Sequence, residues 1–220
     1  FVYIEQVFVQ LLSSLNYIHA QGVVHFDIKN QNILVDEIEG APMAKLIDFG
    51  VAAKLRSQPN EVGGTVAYLA PELINYTGYC DHRVDLYSLG ILYFRMLTGR
   101  YPFGECGTGA ILYWHQHTEF EDSSWGEIEV PAYTKELVAK LLKKNPRERF
   151  SSAGVVLNFI NIATGQKYAT LEAKAKHLLP SEGPLVESDI LYQVGNMFHD
   201  AMSEEAQQNI VYLCGERGIG

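Results

Sequence analysis

Asp27 and Lys29 stand two residues apart, Asn32 follows three further on, and Asp48 comes sixteen residues after Asn32 at the head of Asp48-Phe49-Gly50. Together these residue types suit one kind of chemistry. A carboxylate can accept the proton of an attacking hydroxyl, and an ammonium close by can offset charge on a moving phosphate. The amide oxygen of Asn32 and the carboxylate of Asp48 suit Mg2+, a hard cation that takes oxygen ligands. Phosphoryl transfer asks for positioning and charge neutralisation more than for covalent help. Phe49 is apolar and is expected to pack inward and so aim Asp48, while Gly50 gives that turn its freedom. Taken singly, each of these residues is a common turn or cap residue, so their joint order carries the reading.

The elements that must hold these groups are legible from periodicity. Ile4, Val7, Phe8, Leu11, Leu12, Leu15 and Ile18 recur at steps of three and four, which predicts a helix over 1–20 with Gly22 just past its end. A short β-branched stretch follows at Val23 and Val24. Two short strands are expected at 33–35 and 44–47, joined by a loop holding Gly40 and Pro42. Residues 54–66 are polar and aperiodic and read as a mobile loop. Residues 84–97 are apolar on most faces, interrupted by Asp85 and Ser88, which places a helix in the core, and Gly99 is set to stop it. Weaker helices are expected at about 108–118, 133–143 and 152–163, the last capped by Ser151 or Ser152.

Three segments in order carry a resemblance: His25-Phe26-Asp27-Ile28-Lys29-Asn30-Gln31-Asn32, then Asp48-Phe49-Gly50, then Gly64-Thr65-Val66-Ala67-Tyr68-Leu69-Ala70-Pro71-Glu72. They resemble the catalytic loop, the D-F-G motif and the A-P-E motif of protein kinases. Lys29, together with Gly64-Thr65 ahead of Ala70-Pro71-Glu72, resembles the serine/threonine class. The resemblance implies ATP and Mg2+ as cofactors and a protein substrate. It makes Asp27 the base, Lys29 the electrostatic stabiliser and a phosphate contact, and Asn32 and Asp48 the metal ligands. Thr65 would lie in the pocket that receives the substrate just past its phosphoacceptor and contact Asp27 and Lys29. His25, Phe49 and Gly50 would be structural members of their motifs. Asp85 would be the buried helix aspartate that accepts backbone N–H groups of the catalytic loop. Glu72 would pair with Arg149 of the segment Asn145-Pro146-Arg147-Glu148-Arg149. Phe26 departs from the family, which has an arginine there that often captures an activation-loop phosphate. Activity is therefore expected not to depend on such capture.

The chain has 220 residues, 17 basic and 26 acidic, for a net charge of −9. That balance speaks against non-specific nucleic-acid binding, which needs clustered Lys and Arg. No apolar run approaches the roughly 18 to 20 residues that span a bilayer, and residues 1–10 do not resemble a signal peptide. Cys80, Cys106 and Cys214 match no zinc spacing. So sparse and odd a set fits a reducing, cytoplasmic setting. His115 and His117 are expected to be exposed polar residues rather than metal ligands.

The expected fold is α+β: a protein-kinase-like large lobe, mainly helical, with a short β hairpin at the cleft and the N-terminal small lobe absent. Residues 1–165 would form that C-terminal lobe and 166–184 a connector. Residues 185–220 would be a truncated start of a P-loop ATPase-like domain. There Gly215-Glu216-Arg217-Gly218-Ile219-Gly220 follows the strand-like run at 209–214, and Gly215 and Gly220 resemble the fixed glycines of a P-loop. Bacterial multidomain proteins join a kinase to such an ATPase, so further covalently linked domains are expected. The 220-residue stretch alone is expected to be inactive. Two other readings use the same residues: a pseudokinase, or a regulatory interaction module of a signalling ATPase.

Overall fold

A computed structural model describes residues 1–48, 66–74 and 80–169, all within one compact unit. The first helix, α1, spans Val2–Ala20 and buries Val7, Phe8, Val9, Leu11, Leu12 and Leu15. The apolar steps of three and four fall on its inner faces. It packs against the hairpin on one side and against two later helices on others, which is why Val9 is buried as well as the main stripe. Past its end the chain turns back at Gly22, whose φ of 76° is left-handed and favours glycine.

The hairpin consists of β1, Ile33–Ile38, and β2, Ala41–Leu46, paired antiparallel with Ile33 opposite Leu46 and Ile38 opposite Ala41. Both strands are longer than the sequence predicts, and the connection is only Glu39-Gly40. Both residues have positive φ, 52° and 79°, as a two-residue primed turn requires. Pro42 is therefore not a loop residue. It sits buried in β2 opposite Glu37, where a proline is tolerated because the strand lies at a sheet edge.

The short helix α2, Pro71–Ile74, leads to α3, Arg83–Thr98. Every residue of α3 from Val84 to Phe94 is buried. Phe8 of α1 stacks on Tyr93 with ring centroids 3.8 Å apart. Gly90 lets α3 meet a later helix that ends at Leu141, since a Cβ there would lie 2.8 Å from Leu141 Cβ. The helix ends at Gly99, whose N–H donates to Arg95 O at 2.8 Å. The remaining helices are α4, Thr108–His117, α5, Ala132–Leu141, and α6, Ala153–Thr164. Ser152 caps α6 by accepting from Val155 N–H at 3.3 Å. Among the described residues no helix is long and apolar enough to cross a membrane.

His115 departs from the expectation of an exposed residue. It is fully buried and shares a hydrogen bond of 2.8 Å between its Nδ1 and the Tyr87 hydroxyl. Burial drives its pKa down to about 4, so it is neutral at pH 7 and accepts from Tyr87. Residues 166–169, expected to begin a connector, lie against α1 and α6. Asn161 exchanges two hydrogen bonds with the backbone of Tyr168, and Ser13 Oγ donates to Ala169 O at 3.3 Å. The Tyr133 and Tyr168 hydroxyls both donate to the buried Glu5 carboxylate.

The ion pair between Arg149 and Glu72 ties the second half of the fold together. Nη1 and Nη2 reach the two carboxylate oxygens at 2.7 and 2.8 Å. The other donors go to backbone carbonyls: Nε to Lys143, Nη1 to Arg83 and Nη2 to Lys144. All five guanidinium N–H groups are thus used, and an ammonium offers only three donors with no planar fork. Arg149→Lys is expected to lower the unfolding free energy by about 3 kcal/mol, read as a lower urea midpoint. An unchanged midpoint would show that the fork is dispensable.

Candidate active site

The loop from His25 to Asn32 joins the end of α1 to β1, and its backbone is fixed from beneath. Asp85, in the first turn of α3, has no solvent exposure. A carboxylate withdrawn from water needs donors, and Asp85 has three. Oδ2 accepts from His25 N–H and from His19 Nε2, each at 2.8 Å, and Oδ1 accepts from Phe26 N–H at 2.8 Å. Held this way, Phe26 adopts a φ of 66°, which is strained for a side chain of its size. Its ring is half-buried against the core, so the position of the family arginine carries an apolar contact.

The turn places Asp27 where its carboxylate is organised by its neighbours. Lys29 Nζ donates to Oδ2 at 2.5 Å, and Asn32 Nδ2 donates to the same oxygen at 3.0 Å. Asn32 Nδ2 also donates to the Asp27 carbonyl at 2.8 Å. These bonds load Oδ2 with donors and leave Oδ1 without one among the described residues. Asn32 uses its amide nitrogen inward, so its amide oxygen remains available as a cation ligand.

Asp48 is brought to this loop through the residue before it. Ile47 N–H donates to Asn32 O at 2.9 Å, and Ile47 O accepts from His25 Nε2 at 3.1 Å. His25 Nδ1 meanwhile accepts from Asp27 N–H at 3.3 Å, which puts the ring proton on Nε2. The ring thus bridges the loop and the segment after β2 that leads to Asp48. Asp48 is exposed with a φ of 64°, a left-handed conformation that short acidic residues tolerate. Asn32, buried, and Asp48, exposed, therefore lie at the same end of the hairpin, one just before β1 and the other two residues past β2. Their oxygens fit Mg2+, which needs only one or two protein ligands beside water and phosphate.

The structure thus gathers His25, Asp27, Lys29, Asn32 and Asp48 in one place, with Asp85 below them. Glu72 and Arg149 lie in the supporting ion pair. Phe49, Gly50, Thr65, Gly215 and Gly220 lie outside the described residues. Two positioning residues escape a reading of the sequence. His19, in the last turn of α1, gives Asp85 its third donor. Gln10 straps the hairpin to α1: its Nε2 donates to Pro42 O at 2.7 Å and its Oε1 accepts from Ala44 N–H at 2.9 Å. Neither carries a motif, because each acts through a partner distant in sequence. Among the described residues no three His, Cys, Asp or Glu side chains stand together as a metal cage, and His115 is engaged with Tyr87 instead.

Comparison with known proteins places this arrangement. The family model described as "Protein kinase domain" matches residues 3–174. The serine/threonine-protein kinase Pkn1 of Myxococcus xanthus is 34% identical over 163 residues, covering 71% of this chain and 23% of that protein. The serine/threonine-protein kinase PknJ of Mycobacterium tuberculosis is 37% identical over 153 residues, covering 66% of this chain and 26% of its own length. The chain thus spans about a quarter of these curated relatives. A crystal structure of Rad53 residues 1–466 in complex with AMP-PNP aligns with a TM-score of 0.60 at 26% identity, covering 72% of this chain and 39% of that one.

Asp85→Asn replaces an acceptor oxygen with an amide nitrogen that faces an N–H donor. The variant is expected to lose about 3 kcal/mol of stability, since buried donors lose a charged acceptor. Urea unfolding followed by far-UV circular dichroism would measure it. A variant as stable as the parent would mean that the loop does not rely on this carboxylate.

Proposed function

The chain belongs to the protein kinase family, and on that premise we propose that the intact protein transfers the ATP γ-phosphate to a Ser or Thr hydroxyl of a protein substrate. The observation that carries this reading is the Asp27 carboxylate, with Oδ2 held by Lys29 and Asn32 and Oδ1 without a donor among the described residues. The choice of Ser and Thr is supported by Lys29, by Gly64-Thr65 and by the names of the relatives.

Mg2+ and ATP, when bound, supply the phosphoryl group and neutralise its charge. Asn32 Oδ1 and the Asp48 carboxylate would hold the cation. Asp27 Oδ1 orients the substrate hydroxyl and takes its proton as the oxygen attacks. Lys29 sits where its charge can turn from Asp27 toward the transferring phosphate. Thr65 would help to seat the substrate chain beside Asp27. Three such groups on one fixed loop, with Asp48 just past β2 as the fourth, favour an enzyme over a scaffold, which has no chemical need of all four.

The remaining parts of the reading concern residues beyond the site. Residues 185–220 would open a P-loop ATPase-like unit after a connector, supported by Gly215, Gly220 and the apolar run at 209–214. The sparse cysteines support a cytoplasmic setting. Residues 1–26 contain no lysine and a single glycine, so the part of the stretch ahead of Asp27 offers no glycine-rich loop or strand lysine for the ATP phosphates. We expect that stretch by itself to be inactive.

In the intact protein, Asp27→Asn should lower ATP-dependent phosphorylation of a Ser/Thr substrate at least about a hundredfold, as loss of general-base catalysis does, with little change in melting temperature. Turnover within a few-fold of the parent would remove Asp27 from the chemistry. Robust phosphorylation by the isolated 220-residue stretch would overturn the expectation that it is inactive.

A further inference from the structure

Beside the proposed phosphotransfer site lies a cation that the mechanism does not use. Arg95, near the end of α3, directs one nitrogen of its guanidinium at three neighbours. Nη1 donates to the Tyr68 hydroxyl at 2.6 Å, the Tyr101 hydroxyl at 2.7 Å and Asn30 Oδ1 at 3.2 Å. The Tyr68 hydroxyl also donates to Asn30 Oδ1 at 3.1 Å, and the Tyr101 hydroxyl to that of Tyr68 at 3.3 Å. The guanidinium lies over the Tyr101 ring at 4.5 Å, and Tyr101 in turn stacks on Phe103 at 5.1 Å. An arginine is normally free to sample many rotamers, but here it is held on an aromatic floor.

What remains of the side chain is its recognition edge. Nε and Nη2 have no protein partner among the described residues, and Arg95 forms no ion pair with any described carboxylate. Those two nitrogens form the planar edge that binds a carboxylate or phosphate through two parallel hydrogen bonds. Burial pushes the Tyr68 hydroxyl up to about 12, so it is neutral and does not cancel the arginine charge. The side chain is only partly covered and reachable from solvent. A pre-ordered cation whose fork no described residue uses, in a chain of net charge −9, is arranged for an anionic partner.

Its place relative to the chemistry sets the partner's nature. Asn30 is three residues from Asp27 on the same loop. Three Cα steps of about 3.8 Å, the Asn30 side chain and its hydrogen bond to Arg95 keep the guanidinium nitrogen within roughly 18 Å of the Asp27 Cα, the span of about five extended residues. Tyr68 belongs to the Val66–Tyr68 turn, which follows directly on Thr65. We propose that Arg95 is a specificity residue for the protein substrate: it binds an acidic side chain, a carboxylate or a phosphorylated residue, within about five positions of the phosphoacceptor. This rests on the phosphotransfer reading above and adds to it the class of substrate.

The test uses the intact protein and a set of Ser-bearing peptides. Each carries a single Glu, phosphoserine, Gln or Lys at one of the five positions on either side of the acceptor. At one position the Glu peptide should exceed its Gln counterpart roughly three- to tenfold in kcat/KM, the range of a partly exposed, charge-assisted pair. The phosphoserine peptide tells whether carboxylate or phosphate is the better ligand there. In Arg95→Gln the ratio of Glu to Gln should fall to near one. In Arg95→Glu the Lys peptide should become the preferred one, an inversion that a merely structural role would not produce. If the parent protein phosphorylates Glu, phosphoserine and Gln peptides alike at every position, the proposal is overturned while the phosphotransfer reading stands. If no peptide is phosphorylated, that reading fails, and anisotropy of the same labelled peptides decides this one. A Glu or phosphoserine preference in binding that Arg95→Gln abolishes supports it, and equal affinities overturn it.

Discussion

One carboxylate, that of Asp85, sets the geometry on which the rest depends. It sits in the first turn of a helix that is buried on nearly every face, and it has no solvent exposure of its own. Its two oxygens take consecutive backbone N–H groups, of His25 and Phe26. Two adjacent peptide units anchored at one point lose almost all their freedom to rotate. The left-handed φ of Phe26 is thereby imposed, and the direction of Asp27 follows from it. Interior packing is here converted into the orientation of a reactive group. The cost of burying the carboxylate is offset by three donors, and the strain at Phe26 is held by the same bonds.

A second layer of contacts keeps the hairpin in step with that loop. His25 and Asn32 both engage Ile47, one through its ring and one through its carbonyl. Asp48 cannot drift from Asn32 without breaking one of these bonds. Gln10 then holds the far part of β2 against α1. Loop and hairpin thus refer back to the same two helices, α1 and α3, which pack on each other through Phe8 and Tyr93. The two prospective cation ligands gain a fixed spacing, although they come from different sides of a turn.

Much of this was legible in the residues, and the reasons for the rest are physical. Helix positions followed the apolar period closely, because α1, α3, α5 and α6 each bury a broad apolar face. The pairings of Asp85 and of Glu72 with Arg149 were readable through ordered motifs, since a buried charge must find a counterpart. The hairpin was misjudged: Pro42 suggested a loop, but an edge strand has a side on which no N–H is needed. His115 was misjudged because the ring can satisfy a buried hydroxyl as readily as it meets water. Gln10, His19 and Arg95 left no signature, as a polar side chain on an amphipathic helix reads the same whether it is solvated or bridging to a distant segment.

The bracing of β2 has a consequence for how the protein behaves in company. A two-stranded sheet presents two open rims, and open rims invite pairing with strands of other molecules. On β2 the carbonyl of Pro42 and the N–H of Ala44 are already occupied by the Gln10 amide, which imitates the backbone of a third strand. Pro42 itself has no N–H to offer. That rim therefore lacks the regular ladder on which an intruding chain could assemble.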